Sequence, residues 1–133
     1  MEHYSLPTDL NLIGFEVKTF PNGIGDSFDI LYNTFGQERS YYGISWFDEN
    51  ETIKYYAMTT ELPADNQLAE NYQKLEIQKG NYRTITVFNW LSKTNSIKDV
   101  FHELLKDARP NQNSPCIEWY KSDTEMVCMV KVD

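Results

Sequence analysis

A chain of 133 residues with a formal net charge of −8 and a pI near 4.7 has the size of one domain and the wrong sign of charge for gripping a phosphate backbone. Direct nucleic-acid binding is therefore not expected, while the acidity suits solubility or attraction to basic and cationic partners. No stretch approaches the roughly 18 apolar residues of a transmembrane helix. Met1 to Pro7 has neither the basic nor the apolar region of a secretory signal. The expectation is a cytoplasmic protein with no membrane partner.

Asn11 to Phe20 mixes apolar and polar residues and stops at Pro21-Asn22-Gly23, which is turn chemistry, so it is read as strand one. Ile24, Phe28, Leu31 and Phe35 follow at the spacing of an amphipathic helix, with Gly36 as its stop. Ser40 to Phe47 and Ile53 to Thr60 are rich in β-branched and aromatic residues and flank the acidic turn Asp48 to Glu51, predicting a hairpin. Leu62 to Tyr72 is a polar connector without a period. Leu75 to Trp90 returns to strand character, interrupted at Lys79-Gly80-Asn81 by a tight turn or a bulge. Ser96 is a candidate N-cap for a second helix with the stripe Ile97, Val100, Phe101, Leu104, Leu105 and Ala108, ended by Pro110. Pro115 to Tyr120, the turn Ser122-Asp123-Thr124 and the run Met126 to Val132 make a closing hairpin. Its two cysteines, Cys116 and Cys128, do not face one another in that register and are read as reduced, small, buried side chains.

The order strand, helix, hairpin thus occurs twice. A shift of 73 positions sets Ile24 on Ile97, Asp26 on Asp99, Phe28 on Phe101, Leu31 on Leu104, Ile44 on Ile117 and Trp46 on Trp119. The expected fold is α+β, a single domain built from a duplicated β-α-β-β unit. Two pseudosymmetric halves, about 11–61 and 75–133 around a connector of about 62–74, form a mostly antiparallel sheet with both helices on one side and a ligand groove between the repeats. Under the same shift Glu118 takes the place of Ser45, so a carboxylate breaks the symmetry.

Strand alternation sets Glu118 and Tyr120 on one face and Ile117 and Trp119 on the other. The Glu118 face is either the wet side of a sheet or the floor of a pocket. Trp46 and Trp119 are expected in the core between sheet and helices. Tyr82, Thr84, Thr86, Phe88 and Trp90 share a face, with Ile85 and Val87 turned to the helices, and Phe20, Gly43, Ser45 and Phe47 occupy the matching face of the first half. The candidate ligand-binding set is Glu118, Tyr120, Trp90, Phe88, Tyr82, Phe47, Ser45 and Phe20. A carboxylate among aromatic rings loses solvation, which raises its pKa, and such a cage suits a lipophilic cation. His3 and His102 read as solvated. There is no metal-spaced His/Cys cluster, phosphate-cradling glycine loop or nucleophile elbow, so no metal or cofactor is expected.

Ser114-Pro115-Cys116-Ile117-Glu118-Trp119-Tyr120 with Met126 to Val130, and Lys79-Gly80-Asn81-Tyr82 before the strand Arg83 to Trp90, resemble two recurrent pieces of the GyrI-like effector-binding domain found on AraC-type and MerR-type transcription regulators and as a free-standing protein. The resemblance implies a groove between repeats for small aromatic or cationic molecules, with Glu118 at its floor and Tyr120 assisting it. A departure is the lack of room ahead of strand one for a helix-turn-helix segment, so a regulatory role would run through a partner. Three functions follow: small-molecule effector binding; hydrolysis of small electrophilic compounds, with Glu118 as general base and Tyr120 as proton donor; and inhibition of a protein partner through the acidic surface, as in gyrase-inhibitory relatives. The expected assembly is a monomer or a weak homodimer.

Overall fold

The last hairpin of the sequence lies in the middle of the sheet. In this computed structural model, which describes residues 2–20, 22–68, 71–106 and 114–132, the strands are β1 (Glu2–Leu6), β2 (Leu10–Glu16), β3 (Tyr41–Phe47), β4 (Ile53–Thr60), β5 (Gln73–Ile77), β6 (Gly80–Phe88), β7 (Cys116–Tyr120) and β8 (Glu125–Lys131). They form one antiparallel sheet in the order β1-β6-β8-β7-β3-β4-β2-β5. The α+β class and the two helices on one face agree with the sequence reading.

Helix α1 (Ile24–Phe35) starts after Gly23, whose φ of 86° is the left-handed conformation that a glycine adopts without strain. It buries Phe28 and Leu31 and ends at Gly36, whose N–H is donated to the Tyr32 carbonyl. Helix α2 (Ile97–Leu104) follows a 3-10 segment, Trp90–Ser96, and lays Ile97, Val100, Phe101 and Leu104 against β6 and β8. Ser96 does not cap it: its hydroxyl is donated to the Lys93 carbonyl instead, 2.8 Å away. The expected terminator Pro110 and the stripe residue Ala108 lie outside the described residues.

Two elements correct the sequence reading. Glu2–Leu6 is a strand, β1, paired along β6 from Glu2↔Thr84 to Leu6↔Gly80. It has little apolar signal because four of its five residues are exposed. Secondly, β5 and β6 are not neighbours: β5 pairs with β2 at one edge, while β6 lies between β1 and β8. Gly80, at φ 138°, begins the strand that has crossed over. The β1–β2 and β5–β6 crossings are tied where the Lys79 N–H is donated to Asp9 Oδ1 at 2.9 Å.

Because of these crossings the sheet curls, and both its faces are apolar. The inner face gathers Leu12, Tyr42, Ile44, Trp46, Tyr56, Met58, Ile77, Tyr82, Ile117, Val127 and Met129, with Leu6, Leu10, Leu75 and Trp119 packed against them. The outer face carries α1 over Val17, Tyr41, Tyr55 and Ala57, and α2 over Val87, Cys116, Met126 and Cys128. Trp46 and Trp119 therefore lie inside the curl and not under the helices. The sheet closes over its own inner face, so an apolar side of a strand need not be the side that meets a helix.

The two halves occupy mirrored places, β6-β8-β7 against β3-β4-β2. In β3–β4, Ile44 pairs with Tyr56, Ser45 with Tyr55, Trp46 with Lys54 and Phe47 with Ile53. Advancing each residue by 73 gives the β7–β8 pairs Ile117 with Met129, Glu118 with Cys128, Trp119 with Val127 and Tyr120 with Met126. Ile44 and Ile117 face one another at the centre of the β3–β7 pairing.

Candidate functional site

Glu118 lies at this centre, on the helix-covered face. Directly across from it is Gly43 of β3. One strand further, Tyr55 of β4 reaches over Gly43 and donates its hydroxyl to Glu118 Oε1 at 2.7 Å. Tyr120, two residues along β7 and so on the same face, donates to the same oxygen at 2.8 Å, and the two phenol oxygens are 3.1 Å apart. A side chain at position 43 would occupy this space: a Cβ there would stand 2.0 Å from the Tyr55 hydroxyl and 2.5 Å from Glu118 Oε1. Glycine is needed here for close approach.

Aromatic rings wall the three polar groups. Phe20, from the β2–α1 connection, stacks on Tyr55 with centroids 5.0 Å apart and planes at 10°. Phe28 of α1 meets Tyr120 edge-on at 5.0 Å. Trp90, at the start of the segment leading into α2, also meets Tyr120 edge-on, at 5.1 Å, held by its indole N–H donated to the Ser122 carbonyl at 3.1 Å. Each half thus contributes one ring from its strand-to-helix connection, and Tyr120 packs against the clusters under both helices.

Burial raises the Glu118 pKa above the ordinary carboxylate value, and the hydrogen bonds from Tyr55 and Tyr120 pull it back down. The two phenols are pushed well above the ordinary tyrosine value, first by burial and then by the Glu118 charge. Burial, then the same charge, pushes the Cys116 thiol up to about 12 and raises Cys128 as well. Both cysteines are free and buried. Among the described residues both hydrogen bonds to Glu118 go to Oε1, and the ion pairs formed (Arg39–Asp65, Lys74–Glu61, Lys106–Glu103) leave Glu118 without a cation. No group of three or more His, Cys, Asp or Glu among the described residues is arranged to hold a metal ion.

Of the residues expected around the ligand, the structure brings together Glu118, Tyr120, Trp90 and Phe20, with Ser45 alongside, opposite both Tyr55 and Cys116. Phe47 has the same facing but lies at the far end of β3, where it lines an open depression of about 450 Å³ at the β3–β4 tip. Tyr82 and Phe88 do not join the group. They alternate with Ile85 and Val87, which lie under α2 on the Glu118 face, so Tyr82 is buried inside the curl and Phe88 is exposed on the far side. Tyr55, Phe28 and the role of Gly43 escaped the sequence reading. The hairpin register around Asp48 to Glu51 carried the signal for Tyr55, because it sets Tyr55 opposite Ser45 and on the same face.

No family model and no curated protein matches the sequence. Solved structures do match its fold. An integron cassette protein from the mobile metagenome of Vibrio cholerae superposes with a TM-score of 0.72 at 16% identity, covering 99% of this chain and 95% of that one. SAV2435 bound to tetraphenylphosphonium gives 0.62 at 16% identity, with 98% and 94% covered. A candidate transcription regulation protein from Staphylococcus aureus MU50 gives 0.61 at 13% identity, with 98% and 97% covered. At these identities the likeness is one of fold, and it fits a GyrI-like fold. No helix among the described residues is long and apolar enough to cross a membrane.

Proposed function

We propose that this chain is a small-molecule-binding domain of the GyrI-like effector-binding type, with the groove between its two halves taking a lipophilic, delocalised cation. The observation that carries this is the state of Glu118: a carboxylate in an aromatic enclosure, hydrogen-bonded at one oxygen by two phenols and unmatched by any cation among the described residues. A buried carboxylate without a counter-charge is costly, and a cation whose charge is spread over rings offsets that cost while meeting the faces of Phe20, Phe28 and Trp90. The fold shared with a tetraphenylphosphonium-bound protein supports the reading. The matched registers of the two halves support their origin by duplication within one domain, with Glu118 in the place of Ser45 and Tyr55 in the place of Cys128 among the positions that differ.

The hydrolytic reading gains less. A general base needs a free lone pair at the reacting atom and a neighbouring donor free to follow the developing charge, yet the Tyr120 hydroxyl is already committed to Glu118 itself. Calorimetric titration with tetraphenylphosphonium tests the proposal. Saturable binding to the wild type, weakened at least tenfold (about 1.4 kcal/mol) in Glu118→Gln, is expected. Equal affinity in the two proteins would remove Glu118 from the site.

A further inference from the structure

Inside the curl, on the face of β7 turned away from Glu118, is a separate cavity of about 240 Å³. Leu6, Leu10, Ile77, Ile117, Trp119 and Met129 line it, with Tyr4 and Tyr42, and its lining includes no ionisable side chain other than these two tyrosines. We propose that this cavity is a second small-molecule site, for an uncharged compound of one or two fused aromatic rings.

Three features set that chemistry. First, the inner core is unfinished at this point: Leu6, Leu10 and Trp119 pack on the buried cluster yet remain only partly buried, so apolar surface stays uncovered that an apolar guest would remove from water. Secondly, the wall is aromatic. Trp119 lies near-parallel to Tyr42 at 6.4 Å and tilted against Tyr4 at 5.9 Å, offering ring faces and edges to a flat molecule. Thirdly, no carboxylate lines the cavity, so unlike the Glu118 side it has no counter-charge to offset the desolvation of a cation, and an uncharged guest is favoured. An apolar cavity of roughly 150 Å³ accepts benzene, so this one has space for a larger, two-ring compound. The strand that borders it, β1, is paired only with β6 and is largely exposed, so it provides the way in.

The probe is 2-naphthol, titrated into the full chain carrying ¹³C-labelled isoleucine and methionine methyls. Saturable shifts centred on Ile117 and Met129 are expected. They should weaken at least fivefold in Tyr4→Ala, which removes one wall, and in Leu6→Trp, which fills the space, while Glu118→Gln leaves them within twofold of the wild type. Tyr4 is 36% exposed, so its truncation keeps the test decisive even where Leu6→Trp fails to fold. The absence of saturable shifts up to the solubility limit overturns the proposal. So does binding that is lost in Glu118→Gln but intact in Tyr4→Ala, because the probe then sits on the Glu118 side of the sheet. Neither result bears on tetraphenylphosphonium binding, which is read separately.

Discussion

Gly43 and Glu118 are partners across the β3–β7 pairing, and the hydrogen of one is what leaves room for the carboxylate of the other. A methyl group at position 43 would meet Tyr55, whose ring cannot withdraw freely because Phe20 is stacked on it, and would press on Glu118 Oε1. Gly43→Ala is therefore expected to destabilise the fold by about 1–3 kcal/mol through overpacking and to reduce cation affinity together with stability. Urea denaturation and titration with tetraphenylphosphonium measure the two effects. A variant with wild-type values in both would show that Tyr55 does not need its place over Gly43.

Tyr55→Phe separates the hydrogen bond from the packing. The ring and its stack on Phe20 remain, but Glu118 keeps only the Tyr120 donor. A hydrogen bond to an ionised group contributes about 1.5–3 kcal/mol, and this one favours the charged carboxylate. The Glu118 pKa should rise further from the ordinary range, so the pH midpoint of cation binding moves upward. Carboxyl ¹³C titration of Glu118 reads this directly, and an unmoved midpoint would mean that Tyr55 donates elsewhere in solution.

The strength and the blindness of sequence reading here have the same source. Helix α1 was legible from Ile24, Phe28, Leu31 and Phe35, and both hairpins from their turns, because periodicity and turn chemistry are local. Which face of the sheet the helices cover is not local. Ile117 and Trp119 look like the side that meets a helix, but the curl produced by β1, β2, β5 and β6 buries them on the inside, and the helices take the side bearing Glu118. That inversion grouped Tyr82 and Phe88 with Glu118, from which the sheet separates them, whereas Phe20, Trp90 and Tyr120 lie on the Glu118 face. The hairpin register places Tyr55 on the Glu118 face, but its contact with Glu118 is a tertiary fact, the approach of two side chains from strands that are not neighbours.

The connector is pinned by an ion pair. Arg39 donates two hydrogen bonds to Asp65, at 2.6 and 3.0 Å, and a third to the Thr60 carbonyl at 3.2 Å, while Asp65 also accepts the Leu62 N–H at 2.8 Å. Asp65 is 3% exposed, so Arg39→Ala would strand a buried carboxylate and is expected to cost about 3 kcal/mol. The hydrogen bonds from Arg39 hold the Asp65 carboxyl below its ordinary 3.8. A folded-state pKa below the unfolded one gives stability that is present above pH 3.8 and is lost as pH falls through the depressed value. The stability difference between wild type and Arg39→Ala should accordingly be constant from pH 7 to 5 and shrink in acid. Denaturation midpoints across that range decide it, and a difference independent of pH down to 2 would assign the contribution to the stacking of Arg39 on Phe35 instead.

Glu118 has the opposite sign. Its folded-state pKa is raised above the ordinary 4.5, chiefly by burial, so folding favours its protonated form. The contribution to stability is fully present below pH 4.5 and declines as pH rises through the folded value, which leaves the ionised carboxylate a destabilising group at neutral pH. Each tenfold change in its acid constant corresponds to about 1.4 kcal/mol. Glu118→Gln keeps the shape and still accepts from the tyrosine hydroxyls, so without ligand it should melt above the wild type at pH 7 and together with it at pH 4. Saturating tetraphenylphosphonium should shift the order at pH 7 toward the wild type, because a ligand at 100 times its wild-type dissociation constant stabilises that protein by about 2.7 kcal/mol, whereas a variant that binds it tenfold more weakly gains only about 1.4 kcal/mol. Melting curves of both proteins at both pH values, with and without the cation, read out every part of this. A Glu118→Gln protein that is less stable than the wild type at pH 7 would mean that a positive charge already neutralises the carboxylate, and the case for a cationic ligand would fall with it.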